Sequence, residues 1–170
     1  MTLIEFRGTK PKISLGAYVS PSATLIGDVE VGEGSSIWEN AVLRGDMGSI
    51  RVGRHSSIQD NCTIHTEIGG HCIVGDFVTV GHNAVVHGSI VHDYVVVGMN
   101  STLLEGSEIG SNSVVAAGSV VLEKEKTPPK VLLAGVPAKP VRNLDTSDLA
   151  AIREAAEAYV ELVKLYRERP

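Results

Sequence analysis

Large aromatic rings are nearly absent from this chain: Phe, Trp and Tyr make up 4% of its 170 residues. An interior of interlocked rings is thereby excluded, and the core must be built from Val, Ile and Leu. Cysteine is scarce too. Cys62 and Cys72 are the only two, where a secreted disulfide framework normally carries more, so a reduced, cytoplasmic setting is expected. No run of about 18 apolar residues occurs, so no membrane-crossing helix is expected. Residues 1–7 lack a basic start followed by an apolar run, and no signal peptide is read there. Positive charge is neither in excess nor clustered: the formal net charge is −5. A phosphate-binding surface needs the opposite, so nucleic acid is not an expected partner.

What the chain has instead is a rhythm. Stepping by six from Ile13 gives Val19, Leu25, Val31, Ile37 and Leu43. After three extra residues the steps resume at Val52, Ile58 and Ile64, and after four more at Val74, Val80 and Val86. One residue is dropped, and Val91, Val97, Leu103, Ile109, Val115 and Val121 follow. A period of six fits neither a helix nor plain strand alternation. It is one side of a repeating coil, and three such sides make a coil of about 18 residues. Each side sends its index residue inward. Gly often follows the index residue, as at Gly32, Gly53 and Gly75, and supplies unusual backbone angles at a corner. Stacked coils are parallel strands about 4.8 Å apart, and each coil buries its neighbour's face. The chain reads as one domain: an all-β solenoid over residues 1–123 with a lead-in at 1–12.

The rhythm stops where Lys124-Glu125-Lys126-Thr127-Pro128-Pro129-Lys130 brings charge and removes strand donors. Residues 124–145 read as an extended connection. A helix is predicted over 146–168, capped by Asp145 or Thr146 with Asp148 in its first turn. Leu149, Ile152, Ala156, Tyr159, Val160 and Val163 form one apolar stripe that needs a flank of the column to pack on. Arg167 and Arg169 suit the C-terminal end of its dipole.

Five of the six histidines lie between Ile64 and His92. Index positions three steps apart stack vertically if each insertion bulges outward. Leu43, Ile64, Val86 and Leu103 then share one side, and the residues after them form a row: Arg44, His65, His87, Leu104. Ile37, Ile58, Val80 and Val97 share a second side, with Glu39, Asp60, His82 and Met99 in a row two places on. His65 and His87 are thus on adjacent coils and can share one ion. His82 is round the corner and would reach the same ion from a neighbouring chain, which points to a cyclic trimer with sites between subunits. Three His ligands leave a position open for water, the catalytic rather than the structural zinc pattern, and such a water is a nucleophile near neutral pH. Arg44 and Asp60 could pair across that interface, and Gln59 could orient the water or a substrate oxygen.

The segments Arg44-Gly45-Asp46, Ser57-Ile58-Gln59-Asp60-Asn61, Ile64-His65 and Gly81-His82-Asn83-Ala84-Val85-Val86-His87-Gly88 together resemble the γ-class carbonic anhydrases and their close homologues. Gly135-Val136-Pro137-Ala138-Lys139 and the terminal helix are similar to that group too. The resemblance implies a homotrimer of left-handed β-helices that hydrates CO2 to bicarbonate reversibly. His65 and His87 of one chain and His82 of the next would hold zinc, or iron or cobalt as in some members. Arg44 would pair with Asp60, Asp46 would support that network, Gln59 would contact the bound water or bicarbonate, and Tyr159 would reach the site from the helix. The acidic proton shuttle that follows the Arg-Gly-Asp motif in the best-characterised members is Met47 here. The loop after the first ligand is short, with Glu67 or His71 as substitutes, so activity is expected to be weak.

Each of these residues has a plainer reading. A single histidine on a solenoid is by default a surface or core residue, and His55, His71 and His92 are read as surface. Cys62 and Cys72 fall at small inward positions and are read as inert thiols. Tyr159 lies in the apolar stripe and could simply pack. Other functions compete. A hexapeptide acyltransferase would use one histidine as general base and a CoA cleft between subunits, and needs no cluster of three. A CoA-thioester hydrolase could use the same metal. A vestigial metal-binding module would use none of the chemistry.

Overall fold

The computed structural model describes residues 1–168 of the chain. Short parallel strands stack into a solenoid with one C-terminal helix. Two sheets wrap it. One, of 11 strands, covers two sides of the coil, and the other, of 8, covers the third. Every index residue from Leu25 to Val121 is buried, so the stacked aliphatic positions are the core.

The pairing register gives the vertical rows directly. Leu43 pairs with Ile64, Ile64 with Val86 and Val86 with Leu103. On the second side Ile37 pairs with Ile58, Ile58 with Val80 and Val80 with Val97. Both insertions leave this count intact. Strand Val42–Val52 pairs with Thr63–His65 through its first part and with His71–Val74 through its last, so the excess between them bulges outward. The second insertion stacks on the first: the Gly69 N–H donates to the Met47 carbonyl at 2.8 Å. Gly45 is required here. A Cβ at that position would lie 2.5 Å from the Asp28 carbonyl oxygen, closer than any side chain tolerates.

Both ends of the column carry structure that periodicity does not show. Strand Thr2–Ile4, within the lead-in, pairs in parallel with residues 24–26 and extends the sheet. Residues 131–143 are not simply extended. Val131–Gly135 and Ala138–Asn143 form an antiparallel hairpin, with Val131–Gly135 added to the second side beside Val114 and Val115.

The helix spans Thr146–Arg167 and begins with Asp145 as N-cap. Asp145 accepts from the Ser147 and Asp148 N–H groups while Asp148 accepts from the Asp145 N–H, a capping box that satisfies donors at the helix start. Arg167 lies in the last turn; Arg169 falls outside the described residues. Ile152, Ala156 and Val163 are buried. The rings excluded from the column gather here: Tyr18, Trp38, Tyr159 and Tyr166 stack between the helix and the second side. Along the adjacent corner His55 packs on Phe77, which stacks on Tyr94 under Arg153. His55 is therefore half-buried in this stack, not at the surface as the sequence suggested. No helix among the described residues is long and apolar enough to cross a membrane.

Candidate metal centre

Arg44, His65 and His87 stand in one outward row. Arg44 pairs with His65, and His65 with His87, on successive coils. The two imidazoles face each other with ring centroids 5.2 Å apart. His82 lies on the turn after the second side. Its Nδ1 meets Asp60 Oδ2 at 2.7 Å, and its backbone N–H donates to Gln59 Oε1 at 3.2 Å. A carboxylate on one ring nitrogen is the arrangement that orients metal-ligating histidines. Within one chain the three histidines do not converge. Among the described residues the set of donors within 4.8 Å of one another is Glu67, His87 and Glu105.

The carboxylates around the row have definite partners. Asp46 accepts from Arg44 Nη1 at 2.7 Å and lies 3.2 Å from His65 Nε2. Burial pushes its carboxyl up, but the bonds from Arg44 and His65 and the Arg44 charge outweigh that and hold it below its ordinary value. Glu67 reaches His87 Nε2 at 3.0 Å. So within one chain Arg44 pairs with Asp46, and Asp60 with His82. Met47, at the expected shuttle position, lines a crevice of about 230 Å³ with Phe6, Arg7, Asp46 and Ile68. His71 is exposed, and His92 meets Glu108 at 2.8 Å on the third side. Cys62 and Cys72 are buried free thiols, and burial pushes their pKa values up to about 11 and about 12.

Tyr159 comes from the helix. Burial raises its pKa, as does the Asp60 charge, while a hydrogen bond with Gln59 opposes them. The helix thus brings Tyr159 beside both Gln59 and Asp60. Sequence reasoning missed two neighbours. Glu105 lies two places after Leu103, just beyond the ligand row. Trp38 follows Ile37 as Gln59 follows Ile58, so the shared register was the available signal.

The donor chemistry fits a borderline divalent metal. Two imidazoles share one row, and a third is oriented by a carboxylate. The chain is similar to several known proteins. A family model described as "Bacterial transferase hexapeptide (six repeats)" matches residues 88–123. A γ carbonic anhydrase of Arabidopsis thaliana, mitochondrial in its description, is 41% identical over 97% of this chain, which spans 62% of that relative's length. A carbonic anhydrase of Geobacillus kaustophilus is 38% identical over 97% of this chain and 91% of its own. A solved hexapeptide transferase family protein from Anaplasma phagocytophilum superposes with a TM-score of 0.94 at 34% identity, covering 97% of this chain and 98% of that one. The chain belongs to the carbonic anhydrase-like family of hexapeptide-repeat proteins.

Proposed function

We propose that this protein catalyses the reversible hydration of CO2 to bicarbonate at a metal site built between subunits of a homotrimer. The observation that carries this reading is the register of His65 and His87 in one row, with His82 oriented by Asp60 one corner away. His65 and His87 of one chain and His82 of its neighbour would hold the metal, with zinc the first choice and iron or cobalt the alternatives. The metal would supply the Lewis acidity that makes water a nucleophile near neutral pH.

The chain's own residues do the rest. Asp60 keeps the His82 ring in one orientation through Nδ1. Arg44, charged and partnered by Asp46, offers a fork to the oxygens of bicarbonate; in the proposed trimer Asp60 of a neighbour would share it. Gln59, buried and held by the His82 N–H, presents an amide to a substrate or water oxygen. Tyr159 closes that side and keeps solvent from Gln59. Glu67, bonded to His87, is the carboxylate available where Met47 replaces an acidic residue. Proton export is then poorly served, and turnover is expected to be slow. A reducing cytoplasmic setting suits the two free buried thiols.

A second reading is kept because the matching family model and the Anaplasma phagocytophilum structure are both named as transferases: acyl transfer with one of these histidines as general base. Thioester hydrolysis and a vestigial site are further variants. The deciding experiment is bound metal per chain on anaerobically purified protein and on His82→Ala, with CO2 hydration assayed on the same samples. Metal and hydration lost together support the lyase. Metal without hydration moves the reading to thioester hydrolysis or a vestigial site. Metal absent under every loading condition favours acyl transfer.

A further inference from the structure

A continuous chain of contacts runs from the last turns of the helix to the backbone of His82. Tyr166 stands edge-on to Trp38, with ring centroids 4.8 Å apart, and packs against Tyr18 at 5.3 Å. Trp38 stands edge-on to Tyr159 at 6.0 Å. The Trp38 Nε1–H donates to Ser57 Oγ at 2.9 Å, two residues before Gln59. Tyr159 lies beside the Gln59 side chain, and Gln59 Oε1 accepts from the His82 N–H at 3.2 Å. Trp38 and Gln59 are each 4% exposed and Ser57 is 1% exposed, so little water reaches this chain of contacts.

These residues would normally face outward. Trp38 and Gln59 each follow an index residue, and Ser57 precedes one, so the helix is what buries them. A primary amide in such a slot can sit in two orientations that exchange its oxygen and nitrogen. The His82 N–H demands the oxygen at one end. Tyr159 lies beside the same amide. Only one of these two neighbours of the amide belongs to the column. The other rides on a helix whose end would fray without tertiary contact. Tyr166, wedged against Trp38 and Tyr18, supplies that contact near the C-terminal end.

We infer that the edge-to-face pair of Trp38 and Tyr166 is a positioning lock: it seats Tyr159 on Gln59 and thereby fixes the amide that holds His82. The lock deepens the proposed CO2-hydrating site and rests on that reading for its catalytic consequence. Its structural consequence does not depend on it. Tyr166 acts through Trp38 and Tyr18 and is a positioning residue.

The test compares full-length wild type with Tyr166→Ala, Tyr166→Phe, Tyr159→Phe and the double variant Tyr159→Phe/Tyr166→Ala. Two quantities are read: hydrogen exchange at the His82 amide of the protein, and kcat and KM for CO2 hydration with bound metal counted. Tyr166→Ala is expected to speed His82 exchange by about tenfold through local opening. It should lower kcat by about three- to tenfold with KM and metal content unchanged. Tyr166→Phe keeps the edge-to-face ring and should retain most of the wild-type protection at His82. In the Tyr159→Phe background Tyr166→Ala should add nothing, because residues acting through one contact are not additive. Unchanged His82 exchange in Tyr166→Ala overturns the lock, and so do losses that multiply in the double variant. If wild type binds metal and hydrates no CO2, the proposed function falls, while the exchange comparison still decides the lock.

Discussion

His65 and His87 are direct register partners on adjacent strands, and their rings stand 5.2 Å apart at the centroids. In the proposed site these two ligands would come from one chain, while His82 lies on another side of the coil against Asp60. A subunit-mixing experiment follows. His82→Ala supplies intact His65 and His87; His65→Ala supplies intact His82. Each variant alone should bind no metal at this centre. Co-refolded at equal amounts, random trimers should recover metal at about a quarter of their sites, since each site draws on two neighbours in a closed ring. Metal analysis after dialysis, with mass measured by light scattering, checks both the trimer and the shared site. No recovery in well-formed mixed trimers would count against a shared site.

The index positions should dominate stability. Ile64 is fully buried between Leu43 and Val86, and Ile64→Ala should cost about 2–5 kcal/mol through lost transfer energy and a residual cavity. Ile68, only four residues on, is 84% exposed, and Ile68→Ala should change stability by no more than about 0.5 kcal/mol. Denaturant titration followed by the fluorescence of Trp38 separates the two.

Gly45 sits between Arg44 and Asp46. A methyl group there would meet the Asp28 carbonyl at 2.5 Å, so Gly45→Ala must push neighbouring coils apart. The expected cost is about 1–3 kcal/mol, in the range of overpacking. Loss of the Arg44–Asp46 bond should accompany it, and a crystal structure of the variant would check this.

The buried thiols set an alkaline limit. Their folded pKa values of about 11 and about 12 lie above the ordinary 9.0. The folded state therefore binds these protons more tightly than the unfolded chain. That stabilisation is full below pH 9.0 and is lost as pH rises through about 11 to about 12. Thermal melts between pH 8 and pH 11.5 should fall more steeply for wild type than for Cys62→Ala/Cys72→Ala. A thiol reagent at pH 8 should label neither cysteine until the protein is unfolded.

The helix start behaves in the opposite sense. Bonding with Ser147, for Asp145, and with Arg142, for Asp148, holds both carboxyls below the ordinary 3.8. Their contribution is present above that value and is lost as pH falls through the folded values. Acid titration should therefore loosen the helix before the column, with the Trp38 emission shifting while far-ultraviolet β signal persists. Simultaneous loss of both signals would mean that the caps do not matter.

Much of this architecture is written in the sequence, because a period of six fixes which residues point inward and which stack. The row Arg44, His65, His87 and the separate placement of His82 follow from counting alone, provided that insertions bulge outward, as the one after Arg44 does. Tertiary structure decided what counting could not reach. Loops have no periodicity, so only the stacked insertions, joined by Gly69 and Met47, bring Glu67 to His87. An amphipathic stripe says that a helix is buried on one face, but not against which of three similar sides. The serines Ser36 and Ser57 leave room on the second side, and Trp38 fills part of it. That packing, and not the repeat, carries Tyr159 to Gln59.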